Sequence, residues 1–444
     1  MEYFSKLAQN LPEFVRAEKA MKNPSRPSLV TGLAGIHKAH LLSRLAYCGE
    51  APVLVITKSE ADAAKLTADI NTLSGKETAL LFPAKDMTLG DAEAVSGDYT
   101  RKRIEVLYRL SEGSIPMAVC SPDSAIQLTL SKKQIRENSV TLRKGTEHDL
   151  PHLVEKLVGA GFARFDAVEG RGQMSARGSI LDIFPVNSDR PVRIEFWDDE
   201  IDRMSYFEIE TQRRTDDIDE IRIAPNTELL CGGEELAEKI KELISKQKGK
   251  NSDKAIKKLN RDIERLKGGL TLMGDKYFPL CCEKPESIFD YVKTIVVCEN
   301  TGCNENLRAA FAQHTEELKT LFEEGTLCKG LDLYCLTKGE YAEKLHEKLR
   351  LYLDNFIRGG GIELDQIIPM QANSVSLWGG EYAVLKEQLS DYTDGGYSVA
   401  IFAGTEKAGK TLAEDLTADG FRADYSPNSN KPVKGVITVL PGML

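Results

Sequence analysis

The chain has 444 residues, 41% hydrophobic and 28% charged, a composition that is typical of a globular protein and excludes collagen-like or disordered chains. Its 58 basic and 68 acidic residues give a net charge of −10, so any contact with nucleic acid must be a local patch. No apolar run of about 18 residues predicts a membrane span, and the first residues lack the pattern of a signal peptide. The nine cysteines, an odd number with no Cys-x-x-Cys pair, indicate reduced thiols and predict a cytoplasmic protein.

Short apolar runs alternate with helical patterns in the first part of the chain. After an amphipathic helix pair over 1–22, strands are predicted at 29–30, 53–56, 79–82 and 117–120. Fully apolar strands separated by helices are typical of a parallel sheet that is covered on both faces. We therefore assign residues 1–125 to the first part of a doubly wound α/β domain.

The pattern changes after about residue 126. A helix near 150–158 is followed by strand-like runs without helices between them, at 162–168, 179–184, 192–196 and 204–208. This pattern predicts an α+β unit with an antiparallel sheet and one helix. We assign it to residues 126–212, as an insert in the larger domain.

The α/β pattern returns in residues 213–335, the second part of the larger domain. Exposed helices are predicted over 233–267, a strand at Thr294–Cys298 and a helix over 303–324. Residues 336–365 are assigned to a helical linker, with a helix over 339–357 and a glycine hinge at 358–361.

A small C-terminal α/β domain is predicted over 366–444. Its elements are expected at 374–378, 381–391, 398–403, 405–418 and 435–440. Because the chain stops directly after the last of these strands, we expect this domain to be truncated and the chain to be a fragment of a longer protein.

The loop from Gly32 to Ala39 follows a strand and opens a helix, as a phosphate-binding loop does. A working loop needs a second glycine before the lysine and a hydroxyl residue after it, which binds Mg²⁺. Gly32, Gly35 and Lys38 are present, but His37 replaces the second glycine and Ala39 replaces the hydroxyl residue. The pattern predicts a degenerate loop that serves as scaffold.

The acidic strand of such a site is expected at 294–300. A metal-holding pair normally offers Asp-Glu at the end of the strand, whereas only Glu299 is present here. Both halves of a nucleotide site are therefore degenerate, which favours a domain without ATPase activity.

A second loop candidate matches the phosphate-loop pattern in full, from Gly404 through Gly409 and Lys410 to Thr411. Thr405 can equally be the N-cap of a helix, which would place Gly409 inside that helix. We interpret the match as a chance match, with nucleotide binding through Lys410 and Thr411 as the alternative.

Arginines are concentrated in the predicted antiparallel sheet, where alternation would place several of them on one face: Arg164, Arg171, Arg177, Arg190, Arg193 and Arg203. Arginine is enriched at interfaces because its planar fork makes bidentate, partly desolvated contacts. The alternative is a solvated polar face on which the arginines pair with neighbouring acids. Spacing alone leaves both interpretations open.

The stretch 161–213 closely resembles the bacterial transcription-repair coupling factor family, Mfd, and is similar to the excision-repair protein UvrB. The matching motifs are Arg171–Gln173, Arg177–Pro185, Arg190–Ile201 and Phe207–Arg213. UvrB has an intact phosphate loop and a tyrosine-rich hairpin, and residues 82–87 here lack the tyrosine run. The resemblance therefore favours the coupling factors, and further matches extend it over nearly the whole chain.

In that family the matching region does not hydrolyse ATP and recruits UvrA. The resemblance implies a non-catalytic chain that binds UvrA through Arg164 and Arg177. Arg171 and Phe184 are further candidates for this interface, with Phe184 as its apolar centre. The resemblance implies no cofactor or metal in these residues, because ATP and Mg²⁺, RNA polymerase and DNA belong to domains expected beyond residue 444. The alternative is an active UvrB-like ATPase and DNA-binding repair subunit.

Overall fold

A computed structural model describes residues 11–23, 26–33, 35–48, 52–90, 97–247, 252–269, 272, 274–355, 363–373, 381–427 and 433–442. Its largest sheet has seven parallel strands in the order β15-β1-β14-β13-β2-β4-β3. These strands are β1 (Ser28–Thr31), β2 (Val53–Ile56), β3 (Ala79–Phe82), β4 (Met117–Cys120), β13 (Thr294–Cys298), β14 (Leu349–Leu353) and β15 (Ile367–Pro369). The predicted α/β class is confirmed.

Helices cover both faces of this sheet, and two apolar clusters lie between helices and strands. The helices up to residue 137 are α1 (Pro12–Met21), α2 (Ile36–Leu45), α3 (Glu60–Ser74), α4 (Asp98–Ser111), α5 (Pro122–Ile126) and α6 (Lys132–Glu137). The strand β2 is buried along its whole length because both of its faces are covered, which explains its uninterrupted apolar sequence.

The strands between residues 140 and 223 form a six-stranded sheet, in the order β11-β10-β9-β8-β7-β6, and a separate pair β12-β5. They are β5 (Val140–Arg143), β6 (Ala163–Arg164), β7 (Gln173–Arg177), β8 (Ile180–Ile183), β9 (Val192–Trp197), β10 (Glu200–Phe207), β11 (Arg214–Asp217) and β12 (Glu220–Ile223). Helix α7 (Leu150–Gly159) packs on one face of the larger sheet. The sheet is antiparallel as predicted, except that the two-residue strand β6 runs parallel to β7.

The chain returns to the large sheet through five further helices. They are α8 (Gly233–Lys246), α9 (Ser252–Lys267), α10 (Phe278–Cys281), α11 (Asn300–Glu323) and α12 (Lys338–Lys348), with a 3₁₀ turn at Ile288–Tyr291. The predicted helix over 339–357 is wrong beyond Lys348, because residues 349–353 form β14 between β1 and β13. The expected hinge at 358–361 lies outside the described residues.

Three parallel strands, β16 (Val399–Phe402), β17 (Ala423–Tyr425) and β18 (Ile437–Leu440), form a small sheet near the C-terminus. Helices α13 (Tyr382–Asp394) and α14 (Glu406–Ala418) pack on it. Residues 367–369, predicted to be in this unit, are instead an edge strand beside β1. The strand expected at 374–378 lies outside the described residues, and the domain boundaries themselves stay predictions.

A buried charge cluster joins the segment after β12 to the large sheet. Glu228 accepts bonds from Lys85, from Thr129 Oγ1 at 2.5 Å and from Arg103 Nε at 3.4 Å, while Lys85 Nζ also lies 2.7 Å from Asp275 Oδ1. Burial opposes the ionisation of Glu228, but Lys85 and Arg103 lower its pKa to about 2. The cluster therefore holds an ionised carboxylate where the antiparallel unit rejoins the large sheet.

Across the described ranges, no helix has the length and apolar character needed to cross a membrane. All nine cysteines are free thiols.

Candidate functional site

Two glycines of the first loop, Gly32 and Gly35, have positive φ angles. Gly32 has a φ of +82°, and a Cβ at this position would lie 1.7 Å from the carbonyl oxygen of Met370. Only glycine fits there, because the φ is left-handed and the neighbouring backbone occupies the side-chain space. Gly35, with a φ of +50°, is the N-cap of α2 and provides no side-chain cap.

Lys38 is held by a carboxylate of the chain itself. Its Nζ lies 2.8 Å from Glu299 Oε1, and Lys58 Nζ lies 2.7 Å from Glu299 Oε2. Partial burial opposes ionisation of Glu299, but hydrogen bonds from the two lysines hold its pKa below the usual value. The lysine that would reach a nucleotide phosphate is therefore neutralised within the fold.

Two side chains that directly follow β14 accept hydrogen bonds from backbone N–H groups of the first loop and of the start of α11. The N–H of Gly32 donates to Asn355 Oδ1 at 2.9 Å, and the N–H of Asn300 donates to Asp354 Oδ2 at 2.8 Å. The position of the Mg²⁺-binding hydroxyl is held by Ala39, which is fully buried. The structure thus brings Gly32, Lys38 and Glu299 together, but in an arrangement that is already satisfied internally.

The second loop candidate is mostly helical. Helix α14 begins at Glu406, and the Thr405 side chain caps it by accepting from the N–H of Ala408 at 3.2 Å. Gly409 is buried inside the helix, where a Cβ would lie 2.6 Å from the ring of Tyr425. The predicted N-cap is confirmed, and this glycine is explained by close packing.

The remaining residues of that candidate do not converge on one point. Lys410 Nζ pairs with Glu406 Oε1 at 2.7 Å, one helical turn away on the exposed surface. Gly404 lies before the helix and pairs through its backbone with Gly442. Thr411 is exposed on the helix. A phosphate nest requires consecutive N–H groups that point inward, whereas the N–H groups from Gly409 onward lie within α14.

Arg177 and Arg193 share one buried carboxylate. Arg193 makes two bonds to Asp182, at 2.7 and 2.8 Å, and Arg177 makes one at 3.0 Å. The Asp182 side chain is 1% exposed, that of Arg193 is 14% exposed and that of Arg177 is 55% exposed. Arg193 is therefore a structural partner of Asp182, whereas Arg177 keeps about half of its surface available to a binding partner.

The register separates Arg164 from Arg177. Arg164 lies opposite Met174, three residues before Arg177 on the adjacent strand β7. Because successive residues of a strand point to opposite faces, the two arginines project from opposite faces, roughly 10 Å apart along the strand. The expectation that these arginines share one face is wrong for Arg164. Its side chain is exposed and forms no ion pair with any residue in the described ranges.

Phe184 is not an exposed apolar centre. It is 8% exposed and packs with Val168 and Phe207, while the Arg171 guanidinium lies over its ring at 5.7 Å. Arg171 also pairs with Asp189 at 2.8 Å on the surface. Phe165, which directly follows β6, is an exposed aromatic side chain, at 50%.

Sequence reasoning missed Lys58, Asp354 and Asn355. Lys58 follows buried strand β2 by two residues, so the same rule that selected Glu299 could have selected it. Asp354 and Asn355 follow β14, and the incorrect helix assignment there concealed their position at the carboxyl end of a strand. Polar residues at this edge of a parallel sheet are the expected lining of its site.

Residues 140–229 match the family model described as the UvrB interaction domain. This range contains all six strands of the sheet that carries Arg164 and Arg177, together with β5 and β12.

Most of the chain is similar to transcription-repair-coupling factors. It is 27% identical to that of Bacillus subtilis (strain 168) over 433 residues, which are 94% of this chain and 36% of the relative. It is 25% identical to that of Staphylococcus aureus (strain bovine RF122 / ET3-1) over 392 residues, which are 85% of this chain and 33% of the relative. The predicted resemblance to the coupling factors is confirmed, and the chain spans about a third of the length of these relatives.

Proposed function

We propose that this chain is a recruitment module for transcription-coupled repair that binds UvrA and performs no nucleotide chemistry. The observation that carries the proposal is the match of residues 140–229 to the UvrB interaction domain, within a longer similarity to coupling factors. In this proposal, contacts with RNA polymerase and DNA are made outside these 444 residues.

Arg177 and Arg164 are the proposed contacts with UvrA. Both are exposed, and Arg177 retains only one bond to a carboxylate that Arg193 already neutralises. Each of these two arginines can therefore bind an acidic group of the partner, and Asp182 stays paired with Arg193 when Arg177 does so. Because the two arginines project from opposite faces, a partner that contacts both must reach around the sheet edge formed by β6, and Arg171 precedes the neighbouring strand β7 at that edge.

The geometry of the first loop supports the absence of ATPase activity. Lys38 is paired with Glu299, and Gly32 donates to Asn355, so a nucleotide would have to displace both contacts. The alternative of an active UvrB-like ATPase requires these groups to be free. The helical conformation of Gly409 likewise weighs against the alternative of nucleotide binding at Lys410.

The test is UvrA capture by the purified chain and by Arg164→Ala, Arg177→Ala and Arg203→Ala, each checked for folding by circular dichroism. Arg203 is a matched control because it lies on the same sheet, is 43% exposed and pairs with Asp217. We expect the first two variants to bind about tenfold to a hundredfold more weakly and Arg203→Ala to bind like the parent. If Arg164→Ala and Arg177→Ala are folded and both bind like the parent, the proposed contacts are wrong.

A competition experiment addresses the similarity to UvrB. If the two proteins use one surface of UvrA, excess UvrB will displace the chain. A stable complex that contains all three proteins would contradict a shared surface.

A further inference from the structure

Two cysteines from separate segments of the chain meet where helix α8 packs against helix α10. Cys231 directly precedes Gly232, the N-cap of α8, and Cys281 is the last residue of α10. Their thiol groups are hydrogen-bond partners, and both are free. Lys239 of α8 connects the two helices beside them, because its Nζ donates to the carbonyl oxygen of Leu280 at 3.2 Å. A direct contact between two thiols is the arrangement from which a disulfide forms.

The pair combines an accessible thiol with a buried one. Cys231 is half-buried, whereas Cys281 is 6% exposed. A small molecule can therefore reach Cys231 from solvent, while Cys281 is protected from it. An accessible thiol that reacts first, next to a second thiol that resolves the product, is the composition of redox-sensitive cysteine pairs.

The surroundings of Cys231 favour its thiolate. The Cys281 thiol donates to its sulfur and lowers the pKa of Cys231, although burial and the carboxylate of Glu235 oppose ionisation. Glu235 Oε1 is itself paired with Lys239 Nζ at 2.9 Å, and Lys239 and the N-terminus of α8 add positive charge at the same place. The same bond raises the pKa of Cys281, so the proton of the pair stays on Cys281.

Two other cysteines differ from this pair in their surroundings. Cys48 is also half-buried, but burial and Glu18 raise its pKa to about 11, which keeps it protonated at neutral pH. Cys282 is 1% exposed, and its thiol donates to Gln134 Oε1 at 3.1 Å. Cys282 is therefore engaged with α6 and not with the pair.

We propose that Cys231 and Cys281 form a reversible disulfide by exchange with a small-molecule disulfide. The Cys231 thiolate attacks one sulfur of that molecule, forms a mixed disulfide and releases the other half as a thiolate. The charge on Cys231 that kept Cys281 protonated is then gone, so Cys281 loses its proton, attacks the Cys231 sulfur and releases the second half. The two protein thiols lose two electrons, and the small disulfide takes up these electrons and two protons to become two thiols. This chemistry is independent of UvrA binding.

The test exposes the folded, reduced chain to oxidised glutathione, then denatures it and alkylates the remaining thiols for mass spectrometry. We expect the parent to lose two of its nine alkylatable thiols, to yield linked peptides that contain Cys231 and Cys281, and to recover both thiols in dithiothreitol. Cys231 should react about tenfold faster than Cys48, because its larger thiolate fraction outweighs the weaker nucleophilicity of a more acidic thiol. A parent that keeps all nine thiols, links another pair or reacts equally fast at Cys48 would overturn the proposal.

Three serine variants, each checked for folding by circular dichroism, separate the roles of the cysteines. Cys281→Ser should stop at the mixed disulfide, with one glutathione retained on Cys231, and Cys231→Ser should form neither product. Cys282→Ser is the matched control, because it removes a neighbouring buried thiol, and it should form the disulfide as the parent does. Disulfide formation that Cys282→Ser abolishes and Cys281→Ser preserves would contradict the assignment. If a variant does not fold, the linked peptides of the parent decide the question.

Discussion

The shared carboxylate Asp182 separates a structural arginine from a binding arginine. The Asp182 side chain is 1% exposed and accepts three bonds from arginines. Arg193→Ala removes two of these bonds, whereas Arg177→Ala removes one bond, made by a side chain that is itself about half exposed. We predict that the first variant destabilises the six-stranded sheet strongly and the second does so only slightly.

The expected magnitudes follow from burial. Breaking a buried ion pair costs about 3–5 kcal/mol, and because Arg177 remains after Arg193→Ala, the lower end of about 3 kcal/mol applies. Arg177→Ala removes an exposed contact that is worth about 0.2–1 kcal/mol. Arg193→Lys keeps a positive charge but loses the bidentate fork, so its cost should lie between the two.

Hydrogen exchange of β8 and β9 is the suitable assay because it reports local opening in a chain with several units. At about 1.4 kcal/mol for each factor of ten, Arg193→Ala should accelerate exchange there about a hundredfold and Arg177→Ala at most about fivefold. Exchange in β2 of the large sheet is the internal control. Equal acceleration by the two variants would refute the assignment of separate roles.

Three further predictions concern nucleotide, acid and DNA. Calorimetry should detect no tight ATP binding, and ATP hydrolysis should stay at background for the parent, Lys38→Ala and Lys410→Ala; activity abolished by one of these changes would locate a working site there. The lowered pKa of Glu228 means that its ionisation stabilises the fold above pH 4.5, its unfolded value, and that this contribution is lost as the pH falls towards 2. Thermal unfolding of Glu228→Gln should therefore occur at lower temperature than that of the parent at pH 7, with a smaller difference at pH 3; an equal difference at both pH values would contradict the ionised assignment. Duplex and single-stranded DNA should bind weakly at physiological salt because the net charge is −10, and nanomolar binding would contradict this expectation.

Local sequence pattern predicted the buried strands well and failed where a helix runs directly into a strand. Residues 53–56, 79–82 and 117–120 are strands with the predicted bounds, because a parallel strand that is covered on both faces must be apolar along its whole length. By contrast, α12 ends at Lys348 and β14 begins at Leu349, with neither glycine nor proline between them. Nothing local marks that helix end, and pairing with β1 and β13 determines the strand.

In the candidate sites, too, local sequence predicts which residues are present but not which distant residues they contact. The missing glycine and hydroxyl at 37 and 39 can be read from the sequence, but the pairing of Lys38 with Glu299 joins residues 261 positions apart and depends on the strand order. The face of Arg164 depends on β6 being two residues long and parallel to β7, which alternation over 162–168 does not indicate. The sequence indicates Phe184 as an exposed apolar contact, but Val168 and Phe207 cover its side chain in the fold.

The most direct test of the central claim is a titration of UvrA with this chain, without added nucleotide, followed by calorimetry. The proposal predicts a saturable complex, weakened about tenfold or more by Arg177→Ala and unaffected by Lys38→Ala, because binding uses the arginine-bearing sheet and not the first loop. The absence of a complex at concentrations of ~100 μM would contradict the proposed function. A complex that Lys38→Ala abolishes and Arg177→Ala leaves intact would contradict the assignment of the binding surface.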